Sequence, residues 1–186
     1  MIKKTKNLIL ILVMTLFSSN VLGNYEKLAY EFKFQDLDGS ELKLSEYKDK
    51  VVIIVNVASR CGFTSQYEDM QTIWDKYQNK GVVMIGVPSN DFGNQELSEN
   101  KKVKEFCTTN FNITFLLTEI TKIKGKNGHP FFKWVNEEAG FLAFPKWNFY
   151  KYLINKNGEL VSWYASVTKP NSNKIIKAIE KVILDK

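Results

Sequence analysis

The sequence predicts an α/β sandwich in which a central mixed β-sheet is flanked by helices and preceded by an N-terminal β-hairpin. Three observations predict it. Residues 50–57 and 82–87 are two nearly uninterrupted apolar, β-branched runs, the pattern of strands covered on both faces. Between them Tyr67, Met70, Ile73, Trp74 and Tyr77 recur at helical spacing. After this strand–helix–strand unit come a helix, a second hairpin and a closing helix.

Taken in order, residues 31–35 alternate, Asp36-Leu37-Asp38-Gly39 is turn chemistry, and residues 40–44 alternate again, which predicts the first hairpin. Lys80-Gly81 stops the first helix. Ser98 is placed to cap a helix carrying Val103, Phe106 and Cys107, and residues 115–117 suggest a short strand. Residues 130–135 read as a helix starting at His129-Pro130, because proline is suited to a first helical turn. Residues 150–154 and 160–164 flank the turn Asn155-Lys156-Asn157-Gly158, and Ser172 opens a last helix through Ile175, Ile176, Ile179, Val182 and Ile183. This is the element order of a thioredoxin-like sandwich, with a right-handed crossover expected between the two core strands.

Composition bounds the function. The 186 residues carry 26 Lys plus Arg, 20 Asp plus Glu, two Cys and one His, with 44% hydrophobic residues. A chain of that length can bury roughly 70% of its unfolded surface. Two cysteines are too few for a disulfide scaffold or a four-cysteine zinc site, and one histidine excludes a histidine-dominated metal centre within one chain. No cofactor and no metal is expected.

The first residues read as a targeting segment. Met1 to Asn7 hold three Lys and no acid, Leu8 to Phe17 are apolar, and small residues follow to Gly23. This predicts a signal peptide over residues 1–23, cleaved after Gly23, leaving residues 24–186 as a single domain. The protein is then exported to the periplasm with no stable membrane span; the alternative is a membrane anchor formed by an uncleaved N-terminus, although the apolar run is short of the roughly 20 residues a span needs. Removal of three Lys lowers the net charge from +6 to +3, too mild an excess to argue for nucleic acid. The Lys-rich stretches at Lys101-Lys102 and from Lys122 to Lys126 read as solvated surface.

Cys61 is where the chemistry concentrates. Ser59-Arg60-Cys61-Gly62-Phe63-Thr64 lies between the end of a buried strand and the start of a helix, where backbone N–H groups and the helix dipole favour a thiolate. Arg60, the single arginine, adjoins it. Placement alone leaves open a small buried hydrophobe.

Asn56-Val57-Ala58-Ser59-Arg60-Cys61-Gly62-Phe63-Thr64 resembles the active-site signature of the glutathione peroxidase family. Three more blocks follow in family order: Pro88-Ser89-Asn90-Asp91-Phe92-Gly93-Asn94-Gln95-Glu96, Lys146-Trp147-Asn148-Phe149, and Ser166-Val167-Thr168-Lys169-Pro170. The resemblance covers essentially all of the mature chain. It implies a thiol peroxidase that reduces hydrogen peroxide and organic or lipid hydroperoxides, with Cys61 as the reacting thiol and Gln95, Trp147 and Asn148 around it. Amide and indole N–H groups donate to a thiolate without competing for its proton. Attack on one peroxide oxygen then leaves a sulfenic acid on Cys61. Taken singly, Gln95 reads as a loop amide, Trp147 as a core aromatic and Asn148 as a turn residue.

Glu105-Phe106-Cys107-Thr108-Thr109-Asn110-Phe111 resembles the helix that carries the resolving cysteine in the monomeric, non-selenium, thioredoxin-dependent branch. The resemblance implies that Cys107 attacks the sulfenic acid and closes a disulfide, which a thioredoxin-like protein or glutathione reduces. Forty-six positions separate the thiols, which by itself establishes no contact; the reduced fold is expected to hold them too far apart for a bond, so that the Cys107 helix must partly unwind. The segment between Gly140 and Trp147 lacks the longer insertion of tetrameric, glutathione-using members, so the resemblance implies a monomer with an open site. Ser89 and Asp91 depart from the family pattern, and Asp91 would place a negative charge near the site if it pointed inward. His129 has no part in this chemistry and reads as a surface or helix-start residue.

Three rivals are weighed. Thiol–disulfide exchange normally uses Cys-x-x-Cys, but Cys61 is followed by Gly-Phe-Thr. A copper-handling module would need a second nearby Cys, and only His129 is on offer. A peroxide sensor or redox relay, passing oxidation to a partner protein, shares the chemistry and differs in what reduces the disulfide.

Overall fold

The computed structural model describes residues 27–185, so the predicted signal peptide lies outside the described residues. β1 (Lys33–Gln35) and β2 (Glu41–Lys43) form the expected antiparallel hairpin, and Asp36 Oδ1 accepts from the Asp38 and Ser40 amides at 2.9 and 2.8 Å to shape its turn. The main sheet contains β3 (Val51–Val57), β4 (Val82–Pro88), β5 (Leu116–Leu117), β6 (Lys151–Ile154) and β7 (Leu160–Tyr164), in the order β5-β4-β3-β6-β7. β3 runs parallel to β4 and antiparallel to β6, so the sheet is mixed as predicted.

Every residue of β3 and β4 is buried, because apolar layers cover both faces of the sheet. Val51, Ile53, Val55 and Val57 face the layer formed by α1 (Gln66–Tyr77), α2 (Asn100–Phe111) and α4 (Asn173–Leu184). Val52 and Ile54 face α3 (Pro130–Ala139) and the hairpin residues Phe34 and Leu42. One residue's alternation thus separates the two cores.

The helix ends follow local chemistry with two departures. Gly81 adopts φ 78° after a short 3-10 turn, the left-handed geometry that glycine supplies cheaply. Pro130 opens α3 and the His129 ring accepts from the Phe131 amide at 3.2 Å, so His129 is the helix start and not a site residue. Ser98 does not cap α2: the cap position is Glu99, without a side-chain bond. Ser172 stands at the cap of α4 but its hydroxyl makes no bond there. Among the described residues no helix is long and apolar enough to cross a membrane.

Candidate active site

Cys61 follows β3 and precedes α1 in a run of tight turns. Its amide donates to Thr64 Oγ1 at 2.9 Å, Thr64 Oγ1 donates to the Ala58 carbonyl at 2.9 Å, and the Thr64 amide returns to the Cys61 carbonyl at 3.0 Å. The threonine therefore knots the loop from inside. The Phe63 N–H points at Cys61 Sγ across 3.4 Å, the kind of backbone donor that stabilises a thiolate. The thiol is buried, while Arg60 and Gly62 on either side are exposed.

A second segment is tied to this loop. The Arg60 amide donates to the Gln95 carbonyl at 2.8 Å, and the Ser59 amide donates to Glu96 Oε1 at 3.2 Å. Glu96 also caps the Leu97 amide at 2.7 Å, and its own amide bonds Asn90 Oδ1 at 2.9 Å. Burial pushes this carboxyl upward. Gln95 is reached through Gly93 and Asn94, both at positive φ (75° and 53°), which turn the chain back beside Cys61.

The third segment lies between α3 and β6. Asn148 is fully buried and its Nδ2 donates to Gln95 Oε1 at 3.1 Å and to the Phe92 carbonyl at 3.3 Å. The Gln95 carbonyl end is thereby turned toward Asn148, which leaves its NH₂ end free to donate elsewhere. Trp147 is 39% exposed and is not a core aromatic; its ring edge lies where a Cβ on Gly93 would come within 3.1 Å. The structure therefore brings Gln95, Trp147 and Asn148 together and ties the Gln95 backbone to the Cys61 loop.

Asn56 holds that third segment and was missed by motif reasoning. It sits fully buried inside β3, where its Nδ2 donates to the Trp147 carbonyl at 3.0 Å, its Oδ1 accepts from the Tyr150 amide at 2.8 Å, and its carbonyl accepts from the Phe149 amide at 2.6 Å. These bonds hold Phe149 at φ 63°, a left-handed conformation that costs a bulky residue on the order of 1–3 kcal/mol. The available signal was an amide in the middle of an apolar strand, because a buried polar side chain needs partners.

Asp91 and Cys107 have definite places in the structure. Asp91 does not point at Cys61: its Oδ2 accepts from the Ile123 and Lys124 amides at 2.6 and 2.7 Å, so its charge is used to fasten the loop before α3. Cys107 is a free thiol on α2, fully buried in the same core layer that contains Cys61, with the Tyr67 hydroxyl beside it. Burial pushes the Cys107 thiol up to about 12. Cys61 is also free, so no bond joins the two.

Comparison with known proteins agrees with this geometry. Residues 29–136 match the family model described as glutathione peroxidase. Glutathione peroxidase-like peroxiredoxin 2 of Saccharomyces cerevisiae is 40% identical over 146 residues, covering 77% of this chain and 90% of the relative. The hydroperoxy fatty acid reductase gpx1 of Synechocystis is 38% identical over 162 residues, covering 83% and 95%. The apo crystal structure of Trgpx superposes with a TM-score of 0.70 at 32% identity, over 86% of this chain and 97% of that one. A thioredoxin family thiol:disulfide interchange protein from Chlorobium tepidum, at 14% identity and TM-score 0.61 over 82% and 92%, shares the fold alone. The sandwich is thioredoxin-like.

Proposed function

This chain belongs to the glutathione peroxidase family and is a peroxidase of the oxidoreductase class, and from that premise we propose that it reduces hydroperoxides through two cysteines, Cys61 and Cys107. The observation that carries the reading is the convergence of Gln95, Trp147 and Asn148 on a segment hydrogen-bonded to the Cys61 loop. In the first step the Cys61 thiolate attacks one peroxide oxygen and the O–O bond breaks. The leaving oxygen departs as water or alcohol after taking a proton, and Cys61 becomes a sulfenic acid. The Phe63 amide and the free NH₂ of Gln95 are the donors that stabilise the charge before and during attack.

In the second step the Cys107 sulfur attacks the sulfenic sulfur, water leaves, and a Cys61–Cys107 disulfide forms. Cys107 lies within the core layer, so this step requires α2 to open, which also relieves the burial that keeps its thiol protonated. A thioredoxin-like dithiol then reduces the disulfide, a choice supported by the peroxiredoxin-like character of the yeast relatives, with glutathione as the alternative donor. The Synechocystis relative favours lipid hydroperoxides among the substrates. We read the protein as an exported monomer, which places its donor among the periplasmic thioredoxin-like proteins.

Mass spectrometry after one equivalent of peroxide tests the cycle. A Cys61–Cys107 bridge is expected in the wild-type protein and no peroxide consumption in Cys61→Ser; full turnover by Cys61→Ser would overturn the reading.

A further inference from the structure

Lys151 is a buried charged group that the two-cysteine cycle does not use. It is the first residue of β6, paired with Val55 of β3 and Tyr164 of β7, and is 2% exposed. The residue lines a small apolar cavity with Ile53, Met70 and Ile175, and burying its ammonium is costly without compensating bonds. Those bonds are to main-chain carbonyls: Nζ donates to the Ser166 oxygen at 3.1 Å and to the Ala165 oxygen at 3.4 Å. Gln66 Nε2 of α1 donates to the same Ser166 oxygen at 2.7 Å.

Ser166 passes this anchoring on. Its hydroxyl donates to the Asn148 carbonyl at 2.5 Å, and the Asn148 side chain in turn donates to Gln95 Oε1. Hydrogen bonds therefore link Lys151 to the Ser166 main chain, the Ser166 hydroxyl to the Asn148 main chain, and the Asn148 side chain to the amide of Gln95, whose own main chain is tied to the Cys61 loop. We propose that Lys151 is a positioning residue for peroxide reduction, acting through Ser166 and Asn148 to hold the Gln95 amide in its donating orientation. The inference rests on the reading of Gln95 as a site residue.

The charged groups around Lys151 are few. Asp69 of α1 acts on it, Lys169 of the 165–172 loop offsets Asp69, and Tyr164 on β7 carries Lys174 of α4 over its ring at 5.5 Å. Burial outweighs Asp69 and lowers the ammonium to about 7. Above that pH the bond to Ser166 loses its charge assistance, which roughly doubles the strength of such bonds.

The experiment is rapid-mixing measurement of Cys61 oxidation by hydrogen peroxide from pH 6 to 9 in the wild type, Lys151→Met, Ser166→Ala, the double variant and Gln95→Ala. We expect Lys151→Met to slow oxidation on the order of tenfold, as misplacement of a reacting group does, while retaining a cooperative thermal transition. The wild-type inflection near pH 7 disappears in Lys151→Met. Ser166→Ala, a smaller change that keeps the testing possible if Lys151→Met does not fold, slows oxidation alike, and the double variant is no slower than the worse single one. Wild-type rates and an unchanged pH profile in Lys151→Met or Ser166→Ala, with Gln95→Ala slowed, overturn the positioning role alone. A wild-type rate in Gln95→Ala overturns the site reading and this inference with it.

Discussion

Asn148 Nδ2 donates to Gln95 Oε1 across 3.1 Å. Two residues 53 positions apart are thereby joined as one amide pair, the second member of which has its donor end turned away from the first. Asn148→Ala removes both this bond and the one to the Phe92 carbonyl. We expect Cys61 oxidation by peroxide to slow by about tenfold or more, with a stability loss of about 1–3 kcal/mol for the stranded buried carbonyl. Stopped-flow oxidation and urea unfolding measure the two separately; an unchanged oxidation rate would remove Asn148 from the site.

Asn56 carries a different burden. Asn56→Val fits the strand's apolar pattern but leaves the Trp147 carbonyl and the Tyr150 amide without partners. The expected cost is about 2 kcal/mol or more, read by urea unfolding, together with slower peroxide reduction because the left-handed turn at Phe149 keeps its main-chain bond to residue 56 but loses both side-chain bonds of its clamp. A variant as stable as the wild type would show that the turn at Phe149 holds without the clamp.

Cys107 offers a test of burial. With its thiol pushed up to about 12 by burial, the thiolate fraction at pH 7 is on the order of one in a hundred thousand. In Cys61→Ser, an aromatic disulfide reagent is expected to label Cys107 at least a hundredfold more slowly in the folded than in the urea-unfolded protein; equal rates would remove the burial argument. The folded state holds this proton more tightly than the unfolded state, so the stability it contributes is intact below about 9 and is lost as pH rises from about 9 to about 12. Cys107→Ala reduces the alkaline loss, buried Tyr67 and Tyr152 retaining their own share, and a series of thermal melts across the same range measures the difference from the wild type.

Much of this was legible in order along the chain. The all-buried pattern of β3 and β4 fixes where the sheet is thickest, since an uninterrupted apolar strand is stable only when covered on both faces. Asn155 and Gly158 mark the turn between β6 and β7, and His129-Pro130 marks the start of α3, because turn and cap chemistry is local. Cys61, Gln95, Trp147 and Asn148 were nameable because their blocks match a family. Ser98 was misjudged for the opposite reason: a serine before a helical run satisfies the local rule, yet the chain enters α2 one residue later, at Glu99.

The class of fold and the family were readable along the chain, and so were the two thiols, Cys61 and Cys107, on which the proposed cycle rests. Only the tertiary structure decided what faces what. Asp91 turned to the 123–124 amides and away from Cys61, Asn56 became the clamp of the Trp147 segment, and Lys151 was placed under Ser166. The physical reason is directional. Apolar burial depends on area and leaves its period in the sequence, whereas a hydrogen bond depends on distance and angle between groups that the chain brings together from far apart.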